Sequence, residues 1–292
     1  MKMILMGTGT SHGVPVIACD CKVCTSSDSR DKRLRCSAFI HDENTNIVID
    51  TGPEFRIQAL KFKIKKLDAV LLTHSHADHL HGLDDLRVFS HTISADSKKE
   101  TAGNGLLLYA NPQTLKDITF RFDYIFKEVQ IGGGKPKLNF TDNSIFTPQN
   151  PIKINDLQIL PVPLKHGRLD DSGYLITNTK TEKSIAYLTD CSFISDESIQ
   201  LIKDNARNLE CVVIDALRKE PHQTHFGFSQ ALEVAEKLQP RQTYFTHMTH
   251  NFSHVEIQQF IKENLDKYPA LEKIVKNGGK VEPGFDGLEI EF

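Results

Sequence analysis

The sequence predicts an α/β sandwich. Three observations predict it: short apolar, β-branched runs recur along the chain, amphipathic helical segments mix with them, and the residues best suited to chemistry fall where the apolar runs end. Residues 1–6 read as a first strand, followed by a glycine-rich loop at Gly7, Gly9 and Gly13. Residues 37–41 and 46–50 read as a hairpin around the turn-prone Asp42-Glu43-Asn44. A helix over 55–62 precedes the run Ala69-Val70-Leu71-Leu72, which reads as a buried strand. Further strands are expected at 157–164, 173–177, 184–188 and 211–214. Toward the C-terminus Ala231, Leu232, Ala235 and Leu238 share one helical face that Pro240 ends, and Ser253 with Glu256 forms a capping-box signature before the stripe Ile257, Phe260, Ile261 and Leu265.

With 292 residues, 39% hydrophobic and 25% charged, the chain can bury a large core, and it shows no repeat, heptad or long linker. It is expected to be one domain over 1–292, with an insertion around 91–150 bracketed by the polar stretch 91–105 and the glycine-rich 131–136. A formal charge of -3 gives no global attraction to nucleic acid or an anionic membrane. No apolar run approaches a membrane span, and residues 3–6 are too short for a signal peptide, so a cytoplasmic location is expected. A homodimer is kept open as a partner arrangement, and the sequence does not identify the oligomeric state.

The densest chemistry follows the 69–72 run. Thr73-His74-Ser75-His76-Ala77-Asp78-His79 places three imidazoles and a carboxylate together, a donor mixture that suits Zn, Mn or Fe better than Mg or Ca. A catalytic binuclear centre needs more ligands than one loop supplies. His166, Asp190 and His247 each follow an apolar run, where side chains of a layered α/β fold converge on a crevice. Each of the three, taken singly, reads equally as a hydrogen-bonded structural residue.

Together these residues resemble the metallo-β-lactamase superfamily over most of the chain, which implies an αβ/βα four-layer sandwich. By that resemblance His74, His76 and His166 would hold one divalent ion, Asp78, His79 and His247 a second, and Asp190 would bridge them.

A second site is expected in Cys19-Asp20-Cys21-Lys22-Val23-Cys24, where three thiolates lie close enough to share one zinc. His250, three residues beyond His247, is the candidate fourth ligand of a structural zinc site. The cysteine cluster, the segment His79-Leu80-His81-Gly82-Leu83-Asp84-Asp85-Leu86-Arg87 and the pair His247/His250 resemble PhnP-type cyclic-phosphate phosphodiesterases. The pyrroloquinoline-quinone accessory proteins share the cysteine pattern. That resemblance implies a structural zinc beside a binuclear centre and a substrate-facing histidine at His225, with His222 competing for the role. The function it implies is hydrolysis of a small, cyclic or otherwise compact phosphodiester by a metal-bridging hydroxide, with Asp78 and His225 as catalytic residues. The alternatives are a metallo-hydrolase of a thioester, lactone or RNA end, the last weakened by the lack of a basic stripe, and a noncatalytic accessory protein.

Other motifs carry less. Gly9-Thr10-Ser11-His12-Gly13 fits Gly-x-Ser-x-Gly, but the following Val14-Pro15-Val16-Ile17 does not open a helix as a nucleophile elbow requires. Asp50 reads as an orienting group for a ligand histidine or as a turn former before Thr51-Gly52-Pro53. Asp84, Asp85 and Arg87 are expected to pair within or beside their helix, Cys36, Cys191 and Cys211 to be small core residues, and Lys61, Lys63, Lys65, Lys66, Lys135 and Lys137 to be solvated charge.

Overall fold

The computed structural model describes residues 1–90, 105–127, 134–140 and 146–292. Its strands, in chain order, are β1 (Lys2–Gly7), β2 (Ser37–His41), β3 (Asn46–Ile49), β4 (Ala69–Leu71), β5 (Leu106–Tyr109), β6 (Leu138–Asn139), β7 (Ile152–Ile154), β8 (Leu157–His166), β9 (Leu169–Asn178), β10 (Lys183–Leu188), β11 (Asn208–Asp215), β12 (Gln242–Thr246), β13 (Lys280–Pro283) and β14 (Glu289–Glu291). They form two seven-stranded sheets, β14-β1-β2-β3-β4-β5-β6 and β13-β12-β11-β10-β9-β8-β7. The helices are α1 (Phe55–Lys61), α2 (Ala77–Leu80), α3 (Arg87–Ser90), α4 (Pro112–Arg121), α5 (Asp123–Phe126), α6 (Asp196–Asn205), α7 (Phe228–Leu238), α8 (His254–Asn264) and α9 (Pro269–Lys276).

Alternation along the strands builds the layers. On β1, Met3 and Leu5 join the cluster between the sheets, where they meet Ile159, Tyr174, Ile185 and Tyr187, while Ile4 and Met6 face outward with Phe55 and Leu80. Both faces of each sheet are therefore covered. On the outer face of the second sheet, Phe228, Leu232 and Leu238 of α7 and Ile257 and Ile261 of α8 pack against Val212, Ile214 and Phe245. This is the expected αβ/βα sandwich. The capping box of α8 is formed as the sequence indicates: Ser253 Oγ accepts the Glu256 N–H and Glu256 Oε2 accepts the Ser253 N–H.

The strands β8 and β9 run longer than their apolar cores suggest, so His166 is the last residue of β8, paired with Leu169, rather than a residue beyond the strand. Pro161 and Pro163 lie inside β8, but β7 pairs only as far as Ile159, and that side of β8 is not bridged again until Lys165 meets Phe193, so neither proline needs an N–H there. Within 91–150, the described residues contribute β5 and β6, which extend the first sheet, and helices α4 and α5 beside it. The stretch 91–104 and residues 131–133, with Gly132 and Gly133 of the glycine-rich segment, lie outside the described residues. Asp84 and Arg87 find partners beside their helix rather than within it. Asp84 accepts the Tyr124 hydroxyl at 2.7 Å, and Arg87 donates to the Gly134 carbonyl at 3.1 Å, because α5 and the 134–140 segment pack against that face.

Parallel pairing in β3-β4-β5 and β10-β11-β12 aligns the C-terminal ends of these strands along one edge of the sandwich. A tight approach holds the edge in place: the Thr51 N–H donates to His79 O and the Gly82 N–H to Thr51 O, both at 2.8 Å. A Cβ at Gly52 would lie 2.1 Å from Asp78 O, and one at Gly82 would lie 2.2 Å from Gly52 O. Glycine is needed at both positions for this reason. Gly52→Ala should therefore destabilise the fold by about 1–3 kcal/mol or more. An unchanged midpoint in chemical denaturation would contradict it.

Candidate metal centres

Strand ends supply nearly every polar group of the site. Asp50 follows β3, His74 follows β4, His166 closes β8, Asp190 follows β10, Asp215 closes β11 and His247 follows β12. Asp50, Asp190 and His247 have φ of 62°, 51° and 57°. Left-handed backbone turns these side chains off the strand direction and into the crevice, and Asp and His tolerate it better than most residues. From the first sheet, the loop 73–76 and the short α2 that follows turn Asp78 and His79 inward.

Two donor sets result. His74, His76 and His166 bring one nitrogen each within 4.8 Å of one another, as do the donor atoms of Asp78, His79, Asp190 and His247. Asp190 lies between the sets: its carboxylate is 3.6 Å from His74 Nε2, 3.2 Å from His79 Nε2 and 3.0 Å from His247 Nε2. Yet the Nε2 atoms of His74, His79 and His247 are buried without a hydrogen-bond partner. Nitrogens and carboxylate oxygens that crowd together without aligned N–H···O bonds point at a common centre, which is the arrangement cation ligands adopt. Every residue expected at the binuclear centre is therefore present in these two sets, and the donor chemistry fits divalent cations of the Zn, Mn or Fe class.

Electrostatics support the same reading. Burial, together with the charge of His79, holds His74 well below the usual histidine range, keeping a lone pair available. Burial also opposes charge on His79 and His247, but Asp190 and Asp78 overcome it and raise both well above that range. Protons and cations thus compete for the same nitrogens, so metal binding releases protons and weakens as pH falls.

Behind the ligands lies a buried carboxylate. Asp50 Oδ2 accepts from His79 Nδ1 at 2.7 Å and from the Thr73 hydroxyl at 2.9 Å, and Oδ1 accepts the Thr73 N–H at 2.8 Å. Because the Thr73 hydroxyl proton goes to Asp50, its oxygen is free to accept from His74 Nδ1 at 3.0 Å. One side chain thereby fixes the tautomer of a histidine in each donor set, each leaving Nε2 toward the centre. His166 Nδ1 is similarly held, donating to Thr224 O at 2.7 Å. Of the two sequence readings for Asp50, the structure gives it the orienting role.

Two residues at the site escaped the sequence reading. Asp215 accepts from His225 Nδ1 at 2.8 Å and from the Cys191 N–H at 2.9 Å. A signal existed, since Asp215 ends an apolar run as Asp190 does. Asp171, buried on β9, lies 3.5 Å from His74 Nδ1 and carried no such signal. The His225 ring centroid is 4.6 Å from those of both His166 and His247, whereas His222 is exposed on the outer side of His225.

The cysteine cluster is equally well assembled. Cys19, Cys21 and Cys24 each place Sγ 3.4 Å from His250 Nδ1. Zinc bonds of about 2.3 Å to sulfur and about 2.05 Å to nitrogen in a tetrahedron give an S···N edge of about 3.5 Å. The set therefore fits one tetrahedral zinc. The Cys24 N–H, helped by His250, lowers the Cys21 thiol to about 6, while burial raises Cys24 to about 11. A buried arginine fastens the loop: Arg33 donates to Thr249 O at 2.6 Å, Phe252 O at 3.1 Å and Asp31 at 3.2 Å, and Asp31 accepts the His254 N–H. Cys36, Cys191 and Cys211 are buried in the core as expected.

Residues 45–248 match the β-lactamase superfamily domain, and the chain belongs to that superfamily, with the metallo-β-lactamase fold. Within it the chain falls in the PhnP family: a crystal structure described as a new diphosphatase from that family is 35% identical, covers 100% of this chain and 96% of its own, and superposes with a TM-score of 0.77. The octanoyltransferase of Porphyromonas gingivalis is 35% identical over 291 residues, 99% of this chain and 51% of that protein. The chain thus spans about half the length of that relative. The ribonuclease Z of Borrelia duttonii is 22% identical over 305 residues, 89% of this chain and 94% of that protein. Among the described residues no helix is long and apolar enough to cross a membrane.

Two outcomes test the assembly. Asp50→Asn, which keeps a side chain tolerant of left-handed backbone, should weaken active-site metal binding about 10–100-fold while the thiolate zinc stays bound, as read by chelator competition with elemental analysis. Cys21→Ser should lower the zinc content by one ion per chain, and an unaltered stoichiometry would exclude the tetrahedral thiolate site.

Proposed function

We propose that the protein is a metal-dependent phosphodiesterase that hydrolyses a small phosphodiester, with His225 as the proton donor to the leaving oxygen. The observation that carries this reading is the pairing of His225 with Asp215 beside both donor sets. Two divalent cations held by His74, His76 and His166 and by Asp78, His79 and His247, with Asp190 shared, would supply Lewis-acid activation of water and neutralise phosphoryl charge. Cys19, Cys21, Cys24 and His250 would hold a structural zinc.

The protein's own groups do the rest. Because Asp215 Oδ2 accepts from Nδ1, the imidazole of His225 is held in one orientation with Nε2 directed away from Asp215. Water adds to phosphorus, the P–O bond to the leaving group breaks, and the departing oxygen takes the proton from His225 Nε2. Burial, opposed by His225, raises the Asp215 carboxyl, and the Cys191 N–H bond holds it in place. The imidazole of His225 is therefore anchored on its Nδ1 side. The family relationship to a protein described as a diphosphatase supports phosphoryl chemistry over the thioester and lactone alternatives.

His225→Ala in the metal-loaded protein should lower kcat on bis-p-nitrophenyl phosphate by about 10²–10⁴-fold with metal content unchanged. Loss of both active-site ions in that variant would make His225 a ligand instead. Parallel assays with an octanoyl thioester and a 3′-extended RNA test the alternatives, and turnover of either one alone would displace the phosphodiester reading.

A further inference from the structure

One imidazole of the crevice is held differently from the rest. Hydrogen bonds on Nδ1 fix His74, His79 and His166, and His247 is buried. His76 is exposed, and neither of its ring nitrogens has a hydrogen bond among the described residues. Its ring meets those of His74 and His166 edge-on, with centroids 4.6 Å and 5.0 Å away, and both of those neighbours belong to its own donor set. A ligand imidazole without an orienting hydrogen bond depends on the backbone that carries it.

That backbone is gripped by α4. Ser75, the buried residue between His74 and His76, donates its hydroxyl to Asp117, and its carbonyl accepts from Arg121. Gln113, Asp117 and Arg121 follow one another at four-residue intervals on one face of the helix. Gln113 Nε2 donates to Asp117 Oδ1 at 2.9 Å, so the carboxylate that holds Ser75 is itself held at its other oxygen. Away from that face, Ile118 packs with Leu80, Leu83 and Leu86. The grip therefore comes from a packed helix and not from a loop tip. Among the described residues, no side chain of α4 hydrogen-bonds to Asp78, His79, Asp190 or His247.

We infer that Asp117 and Arg121 are positioning residues: by holding Ser75 they fix the chain that carries His76, and so set the affinity of the ion at His74, His76 and His166 independently of the ion at Asp78, His79 and His247. α4 is then the element through which one cation can be gained or lost while the other is retained. This rests on the two-cation part of the proposed reading and is independent of the substrate. Arg121 also brings positive charge toward His76, so removing it combines loss of a bond with relief of repulsion. Asp117 gives the cleaner test.

The experiment uses the fully metal-loaded protein. In Asp117→Ala, where alanine preserves the helix, chelator competition with elemental analysis should show one active-site ion weakened about tenfold or more, while the second ion and the thiolate zinc keep their affinities. Asp117→Asn keeps an acceptor for Ser75 without the charge and should recover most of the loss. His76→Ala identifies the ion, because adding Asp117→Ala to it should weaken nothing further. Turnover of bis-p-nitrophenyl phosphate by Asp117→Ala should need about tenfold more free metal for half-activation and return to the parent kcat at metal saturation. Equal weakening of both ions would make Asp117 a general structural residue and overturn the inference. Unmoved affinities, or a further loss in the double variant, would overturn it too. If no diester is turned over, the affinities still decide the role of α4, and the phosphodiesterase reading alone fails.

Discussion

The site depends on one buried carboxylate. Asp50 accepts from the Thr73 backbone, the Thr73 hydroxyl and His79, and through Thr73 it also governs His74. Burial raises its pKa, while His79 and Thr73 work to keep the charge in place. An unpaired carboxylate so placed would be strongly destabilising, and here its four lone-pair directions are largely occupied. Four groups therefore have to be in register at once, which ties the end of β3 to the end of β4 and to α2. The second sheet joins through Tyr174, whose hydroxyl donates to Leu72 O at 2.6 Å, and through the Ser172 N–H, which donates to Thr73 O at 3.1 Å.

The cysteine cluster and the histidine–aspartate crevice are mechanically joined by a short turn. His247 faces one donor set and His250 the other, with Thr249 held from two sides: its N–H donates to Leu217 O, and its carbonyl accepts from Arg33. Arg33 also exchanges two backbone hydrogen bonds with Val14, at the start of the cysteine loop. The guanidinium is wholly buried, so its partners must be complete for the fold to tolerate it. The loop at 14–24 is thereby placed by the same residue that places the turn carrying His247 and His250.

Much of this was legible in the sequence because dense motifs and strand endings are local signals. The loop 73–79, the cysteine spacing, the capping box at Ser253 and the period of α7 each fall within a few residues. The resemblance carried the remainder of the ligand set. Partnerships across the chain were less accessible. Asp171 sits in mid-strand with no local mark, and Arg33 looks like one of many surface cations until burial is known. For Asp84 and Arg87 the sequence indicated partners within or beside their helix but not which ones: Tyr124 and Gly134 lie far along the chain. The strand expected over 157–164 forms despite Pro161 and Pro163, and the short reach of β7 explains why β8 tolerates them.

Three of the site residues, Asp50, Asp190 and His247, occupy left-handed backbone. Each such residue stores on the order of 1–3 kcal/mol that ligand contacts elsewhere must offset. Alanine at these positions would remove a donor and disturb the chain path together, merging two effects in one measurement. Asparagine separates them, because it tolerates the same dihedrals while giving up the carboxylate or imidazole. The chain path through the crevice is thus a constraint in its own right, one that narrows which amino acids evolution or an engineer can place there even where no cation is touched.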